Sequence, residues 1–305
     1  MKVLNLGSLN IDYVYPVEHF VTAGETILTG ELQVNSGGKG LNQSAALARA
    51  GLEVWHAGLL GAESASLAET LNRFGVNTRL MRTVQERSGH AIIQVEPKGQ
   101  NCILVYPGTN GKLTDAYVDE VLAHMEPDDV LLMQNETNLV AETIRKAHDR
   151  GIRVAWNASP VNDTMNSDLL DRIKWLFVNE VEGQALTGES DPAHMVKTLT
   201  ERCPGMELVL TLGAQGSIYA HGGAVVCCPS CKVTVRDTTA AGDTFTGLFL
   251  RGVLEPVAGY TPLTLATAAA GIAVTRPGAS SSIPSLQEAL DFAPGRKLQE
   301  TAWQA

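Results

Sequence analysis

The sequence predicts an α/β fold, a mainly parallel central sheet with helices on both faces and a small extra β-sheet beside it. Two observations carry that prediction. Short apolar runs that end in glycine or a polar residue alternate with amphipathic segments of helical length. Two further stretches of alternating, strand-like residues interrupt the series. A third observation sets the domain count. The 305 residues have a globular composition, 44% hydrophobic and 18% charged, and no repeat or low-complexity tract divides them. One domain spanning 1–305 is therefore expected.

Taken in order, VLNLG (3–7) is a short apolar run ending in glycine, the pattern of a buried strand. LNQSAALARAG (41–51) is helical, with Gly51 as its stop. EVWHAGLLG (53–61) returns as a strand, and SLAETLNRFG (66–75) is a helix closed by Gly75. The unit repeats as strand 130–134, helix 139–151 and strand 152–159. Residues 175–180 and 208–213 are further apolar strands. In such sheets ligands bind at the carboxyl ends of the strands, which here carry Asn10, Asp12, Asn135, Glu136, Asn179 and Gly213. The interrupting stretches are about 13–34 and 87–107, the second with a turn near Lys98 and Gly99. They are expected to form a discontinuous lid over the strand ends; the alternative is an edge extension of the main sheet.

Charge and cysteines narrow the classes. Lys and Arg number 23 and Asp and Glu 33, a net charge of −10 without any basic run, which argues against a nucleic-acid partner. No apolar run approaches the ~18 residues of a membrane span, and the first residues lack the pattern of a secretory or transit peptide. A cytoplasmic protein is expected. Five cysteines are too few, and odd in number, for a disulfide framework. Cys228 and Cys231 form a C-x-x-C without a second pair to complete a metal site, so VVCCPSCKVTV (225–235) reads as a half-buried strand.

Two motifs carry chemistry. In Asp237-Thr-Thr-Ala-Ala-Gly-Asp243, small residues lead into a helix that begins near Asp243. The amides around Ala240, Ala241 and Gly242, with the positive helix end, suit a phosphoryl group. Asp243 stands where a carboxylate could accept a proton from a hydroxyl; an N-cap is the alternative. The second motif, Ser36-Gly37-Gly38-Lys39-Gly40-Leu41-Asn42, also opens a helix. It is neither a Walker A loop nor a dinucleotide fingerprint, since Gln33 and Gly40 break the first pattern and Gln43 replaces the third glycine of the other. Lys39 and Asn42 offer donors to a polyol, while a plain tight turn would explain the glycines equally well.

GGKGLN and DTTAAGDTF, at this spacing over essentially the whole chain, resemble the ribokinase family of sugar kinases. The resemblance implies a ribokinase-like fold and ATP-dependent phosphoryl transfer to the primary hydroxyl of a small sugar, ribose foremost. It makes Asp243 the catalytic base and the amides of Ala240, Ala241, Gly242 and Asp243 an anion hole. Asn10, Asp12, Gly38, Lys39, Asn42 and Glu136 match sugar-binding positions. Asn179 and Glu182 match the N-x-x-E motif that organises phosphates and the water shell of Mg²⁺. Thr211, Gly213 and Gly216 match the nucleotide loop, with Thr267 beside it. Asp237, Thr239, Ala273, Arg276, Gly278 and Ser282 match the ligands of a monovalent cation, K⁺ as the usual occupant, mostly through backbone carbonyls. Glu182 as a solvated helix residue, Asp12 as a turn cap and Glu136 as a surface acid are the plain alternatives.

There are departures from the family pattern. Thr267 stands where a bulkier polar residue is usual, which bears on adenine packing. Leu41 is larger than the usual alanine, and Asn35 and Ser36 are more polar, which bears on the sugar pocket. The rival readings are a related kinase for a ketose, deoxysugar or nucleoside, a non-catalytic sugar-binding protein, which would be expected to have lost Asp243, and an NAD-linked oxidoreductase, whose glycine fingerprint is missing. Exposed lid strands would pair between subunits in a homodimer.

Overall fold

The computed structural model describes residues 1–303 apart from 98–99, 164, 166 and 297. The turn expected at Lys98 and Gly99 lies outside the described residues.

Among the described residues the main sheet has nine strands. From one edge they run Val54–Ala57, Val3–Leu6, Val130–Gln134, Arg153–Asn157, Trp175–Asn179, Glu207–Thr211, Ser217–His221, Ala224–Cys228 and Thr301–Ala302. Pairing is parallel as far as Glu207–Thr211 and antiparallel beyond it. The parallel strands read as continuous apolar runs because both of their faces are covered. Their two-residue period sends Leu4, Leu6, Leu131 and Met133 into one core layer. Val3, Val130 and Leu132 go into the layer on the other side.

The covering helices follow the 3.6-residue period. Val140–Asp149 buries Val140, Thr143, Ile144 and Ala147 on one face. The helices Lys39–Arg49, Ala241–Leu254 and Pro262–Ala273 pack against each other on the opposite face. Gly51 and Gly75 both follow helix ends with positive φ, 91° and 82°, as their reading as stops requires. No helix among the described residues is long and apolar enough to cross a membrane.

Three expectations change at their edges. The run 53–61 is two strands, because at Gly58 the chain leaves the main sheet and Leu59–Gly61 pairs with Arg82–Val84 instead. The strand expected over 225–235 stops at Cys228, before Pro229, which has no N–H to continue a ladder. The third concerns the extra sheet. It exists, in the order Gln33–Gly37, Asn10–Pro16, Gly89–Val95, Asn101–Tyr106. Residues 17–32 contribute no strand to it. Asn10 and Asp12 therefore stand on this small sheet, not on the carboxyl end of a main-sheet strand. The chain passes from Leu6 to Asn10 through only Gly7, Ser8 and Leu9, so the two strands are nearly continuous in sequence although they belong to different sheets.

Candidate active site

The glycine loop is built by close approach. Gly38, the N-cap of helix Lys39–Arg49, has a φ of 94°, which a side chain would strain. At Gly40 a Cβ would overlap the backbone of Gly7 and Ser8, so the helix rests directly on the turn that leaves the first strand. Gly40 N donates to Ser8 Oγ (3.0 Å) and Leu41 N to Ser8 O (3.0 Å). Ser8 Oγ in turn donates to Glu136 Oε2, and Lys39 N donates to the same oxygen at 2.9 Å. Glu136 is thus tied into the loop, not a free surface acid.

Opposite it, Asn10 Oδ1 accepts from Asn110 Nδ2 (2.7 Å), and Asn110 Oδ1 accepts from Leu9 N (3.0 Å). That sets the Asn10 amide with its NH₂ available to a ligand. Asp12 lies over Gly37, where a Cβ would fall on its carboxylate. Burial, helped by the negative charges of Glu136 and Asp243, pushes the Asp12 carboxyl up to about 7. Lys39 faces three carboxylates. Burial alone would lower its ammonium, but Asp243, Glu136 and Glu182 outweigh burial and hold it above its ordinary value, so the cation persists.

Asp243 is the third residue of helix Ala241–Leu254 and does not cap it. The N-cap is Ala240, in the left-handed region with φ 60°, and no side chain caps this end. Ala241 N donates to Thr238 O at 3.2 Å, which leaves the amides of Gly242 and Asp243 at a cavity with the helix dipole behind them. This cavity, of about 250 Å³, is bordered by Lys39, Asn179, Glu182, Ala240, Gly242 and Asp243. The Asp243 side chain is buried and held at both oxygens. Asn42 Nδ2 donates to Oδ2 at 3.0 Å and Gln43 Nε2 to Oδ1 at 2.9 Å.

Thr211, Ala241 and Gly242 also border a second, larger cavity of about 1140 Å³. Gly213, Gly216 and Thr267 line it too, and Cys231 forms part of the wall. Every residue predicted for the nucleotide therefore borders one of two adjoining cavities. Asn179 and Glu182 make a capping box: Asn179 Oδ1 accepts from Val181 N and Glu182 N, and Glu182 Oε2 accepts from Asn179 N at 2.7 Å. The cap holds a buried carboxylate at the cavity wall, not a solvated one. Its oxygens are hard donors of the kind Mg²⁺ and its waters prefer.

The segments predicted for a monovalent cation come together at the base of the anion-hole turn. Asp237 Oδ1 accepts from Thr239 N (2.9 Å) and Oδ2 from Gly278 N (2.8 Å), while Arg236 N donates to Val274 O. The Arg276 guanidinium turns to Glu288, 2.6 Å away, which leaves its backbone as the part able to face a cation. Ser282 is fully buried, with its hydroxyl on Ala279 O. Carbonyl and carboxylate oxygens around Asp237, Ala273, Gly278 and Ser282 suit a hard monovalent ion.

Ser8, Asn110, Gln134 and Gln43 escaped the sequence reading. Gln43 registers there only as a residue that is not glycine, and nothing local marks Asn110, whose partner lies 100 positions away.

Residues 1–286 match the pfkB family of carbohydrate kinases. The chain belongs to that family. It is 36% identical to the ribokinase of Haemophilus influenzae, over 94% of this chain and 96% of that protein. It is 32% identical to the ribokinase of Schizosaccharomyces pombe, again over 94% and 96%. A solved structure of Arabidopsis thaliana ribokinase complexed with ribose and ATP superposes with a TM-score of 0.84 at 27% identity, covering 96% of this chain and 98% of that one. The central sheet and its extra small sheet are thus those of a pfkB carbohydrate kinase.

Proposed function

We propose that this pfkB kinase transfers the γ-phosphoryl group of ATP to the primary hydroxyl of ribose. One observation carries the reading: the Asp243 carboxylate and the uncapped helix end beside it border the narrow cavity between the polar cluster of Asp12, Lys39, Asn42 and Glu136 and the large cavity of the nucleotide residues.

In this reading Asp12, Asn10 and Glu136 hold the sugar hydroxyls and Asn42 steadies the end near Asp243. Asp243 takes the proton of the attacking hydroxyl. Of the expected anion-hole amides, those of Ala240, Gly242 and Asp243, with the Lys39 ammonium, face the negative charge that builds on the transferred group, while Ala241 N stays on Thr238 O. Glu182, held by its cap with Asn179, would keep the water shell of a Mg²⁺ ion, which supplies charge neutralisation between the phosphates. Asp237 and the carbonyls of 273–282 would hold K⁺ and so order the anion-hole turn. The small sheet would act as a lid within a single domain. Its outer strand, with Ile103, Leu104 and Val105 exposed, offers a face to a second copy of the chain. Cytoplasmic location belongs to the same proposal.

The preset carboxylates and amides favour a compact polyhydroxylated ligand, with deoxysugars and ketoses as competitors. The test is ADP release with ATP and Mg²⁺ across ribose, deoxyribose, ketoses and nucleosides. Ribose should give the highest kcat/KM; a higher value for any other substrate would replace it.

A further inference from the structure

Behind Asp243 a buried chain of amides runs into the central sheet. Gln43 Nε2 donates to Asp243 Oδ1, and Gln43 Oε1 accepts from Gln134 Nε2 at 2.7 Å. Gln134 Nε2 also donates to Asn5 Oδ1 at 3.1 Å. Asn5 Nδ2 then donates to Gly40 O (2.8 Å) and to Ser44 Oγ (2.9 Å), which lies 2.8 Å from His56 Nδ1. Asn5, Gln43, Ser44 and His56 are fully buried, and Gln134 is 1% exposed. Burial pushes His56 down to about 3, so the chain ends on a neutral ring and adds no charge.

The polarity of this chain is set at both ends. An ionised carboxylate can only accept, so the Gln43 NH₂ must face Asp243. Its carbonyl then faces Gln134, whose NH₂ must point back. At the far end the Gly40 carbonyl can only accept, which fixes Asn5 in the matching sense. Asn5 and Gln134 stand on the neighbouring strands Val3–Leu6 and Val130–Gln134, which pair in parallel and are buried along their length. A buried amide network with this many partners is costly to disrupt and leaves its terminal donor one orientation.

We infer that Gln43 is a positioning residue for phosphoryl transfer, holding the Asp243 carboxylate aligned, with Gln134 fixing the direction of the Gln43 amide. Gln43 does this without touching sugar or nucleotide. The inference rests on the reading of Asp243 as the base, and adds that the base is oriented from the sheet rather than by its own helix. Asn42, the other partner of the carboxylate, sits on the sugar side and is free to exchange it for a ligand. Gln43 has no such freedom.

The test is steady-state kinetics on Gln43→Met, Gln134→Met, their double variant and Asp243→Asn, with melting temperatures measured alongside. Methionine keeps the length of glutamine and removes its donors. Gln43→Met should lower kcat roughly 10–100-fold, the scale of a misplaced reacting group, with both KM values little changed. Gln134→Met, remote from any ligand, should lower kcat less, by about 3–10-fold, since it loosens the donor without removing it. The double variant should be no worse than Gln43→Met alone, because both act through one hydrogen bond. Losses that multiply would overturn the inference. So would a Gln43→Met enzyme with wild-type kcat, or one in which kcat, both KM values and melting temperature fall together. If Gln43→Met does not fold, wild-type kcat in Gln134→Met decides against it. An active Asp243→Asn would instead sink the reading of the base itself.

Discussion

The two halves of the cleft are built in opposite ways. On the proposed sugar side several key polar groups are already engaged by another side chain or by a backbone amide. Ser8 and Lys39 N hold Glu136, Asn110 holds Asn10, and Asn42 and Gln43 hold Asp243. On the proposed nucleotide side there is a cavity of about 1140 Å³ walled by small and apolar residues, with Phe245, the cations Lys232 and Arg236 and one half-buried cysteine. A small polyol offers only directional hydroxyl groups, so its partners have to be set in advance. A nucleotide brings an aromatic base and a charged tail, which shape and backbone amides can hold. Substitutions on the first side should therefore be severe and selective for the sugar, while the second side should tolerate more.

The largest effect lies where the halves meet. Asp243→Asn keeps the shape of the carboxylate and removes its basicity, so kcat should fall by ~10²–10⁴-fold with the melting temperature nearly unchanged. Near-normal turnover would remove Asp243 as the base, the carboxylate in the first turn of the uncapped helix end.

Asp12→Ala comes next. Hydrogen bonds to a charged acceptor are worth ~1.5–3 kcal/mol, so kcat/KM for the sugar should drop roughly 10–150-fold while the KM for ATP stays put. The acid also carries a pH signature. Its folded value of about 7 lies above the ordinary carboxylate value, so between them the native state holds a proton that the unfolded chain has lost. Stability is therefore lost as pH rises through that window. Asp12→Asn should melt several degrees above the wild type at pH 8 and no higher than it in strong acid. Sugar affinity of the wild type should improve from pH 6 to pH 8, and Asp12→Asn should flatten that trend. A loss of ATP affinity with intact sugar kinetics would show the halves reversed.

Gly37→Ala sharpens the same contrast from the backbone. A Cβ there displaces the Asp12 carboxylate without removing it, so the sugar kcat/KM should fall by about tenfold or less, again with ATP unaffected. The smallest expected effect is ionic. Exchanging K⁺ for tetramethylammonium should lower activity through the turn that Asp237 and Gly278 tie together. Equal rates in the two buffers would remove the cation from the site.

Much of the fold was open to inspection in the chain itself. Helix Val140–Asp149 and strand Val130–Gln134 follow directly from local periodicity, and Gly51 and Gly75 mark stops because their backbones need positive φ. The motif residues were legible for a similar reason: close approach to a phosphoryl group demands small side chains in one continuous stretch, as in 237–243. Local pattern failed where a strand changes sheets. The apolar run 3–7 and the strand after it are only a few residues apart, and only the turn at Gly7 to Leu9 assigns Asn10 and Asp12 to the small sheet.

What the sequence determined by itself is the set of short-range choices: which segments are strands, where helices stop, and which loops are bare enough to admit a phosphate. Each depends on residues a few positions apart. The tertiary structure alone decided which polar groups meet. Asn10 needs Asn110, Asp243 needs Gln43 from 200 positions away, Glu136 needs Ser8, and the Asp12 carboxyl is raised by burial first and then by charges from two other parts of the chain. Burial and charge act through space, and an asparagine or glutamine in a helix carries no local mark of the partner that the folded sheet will bring to it.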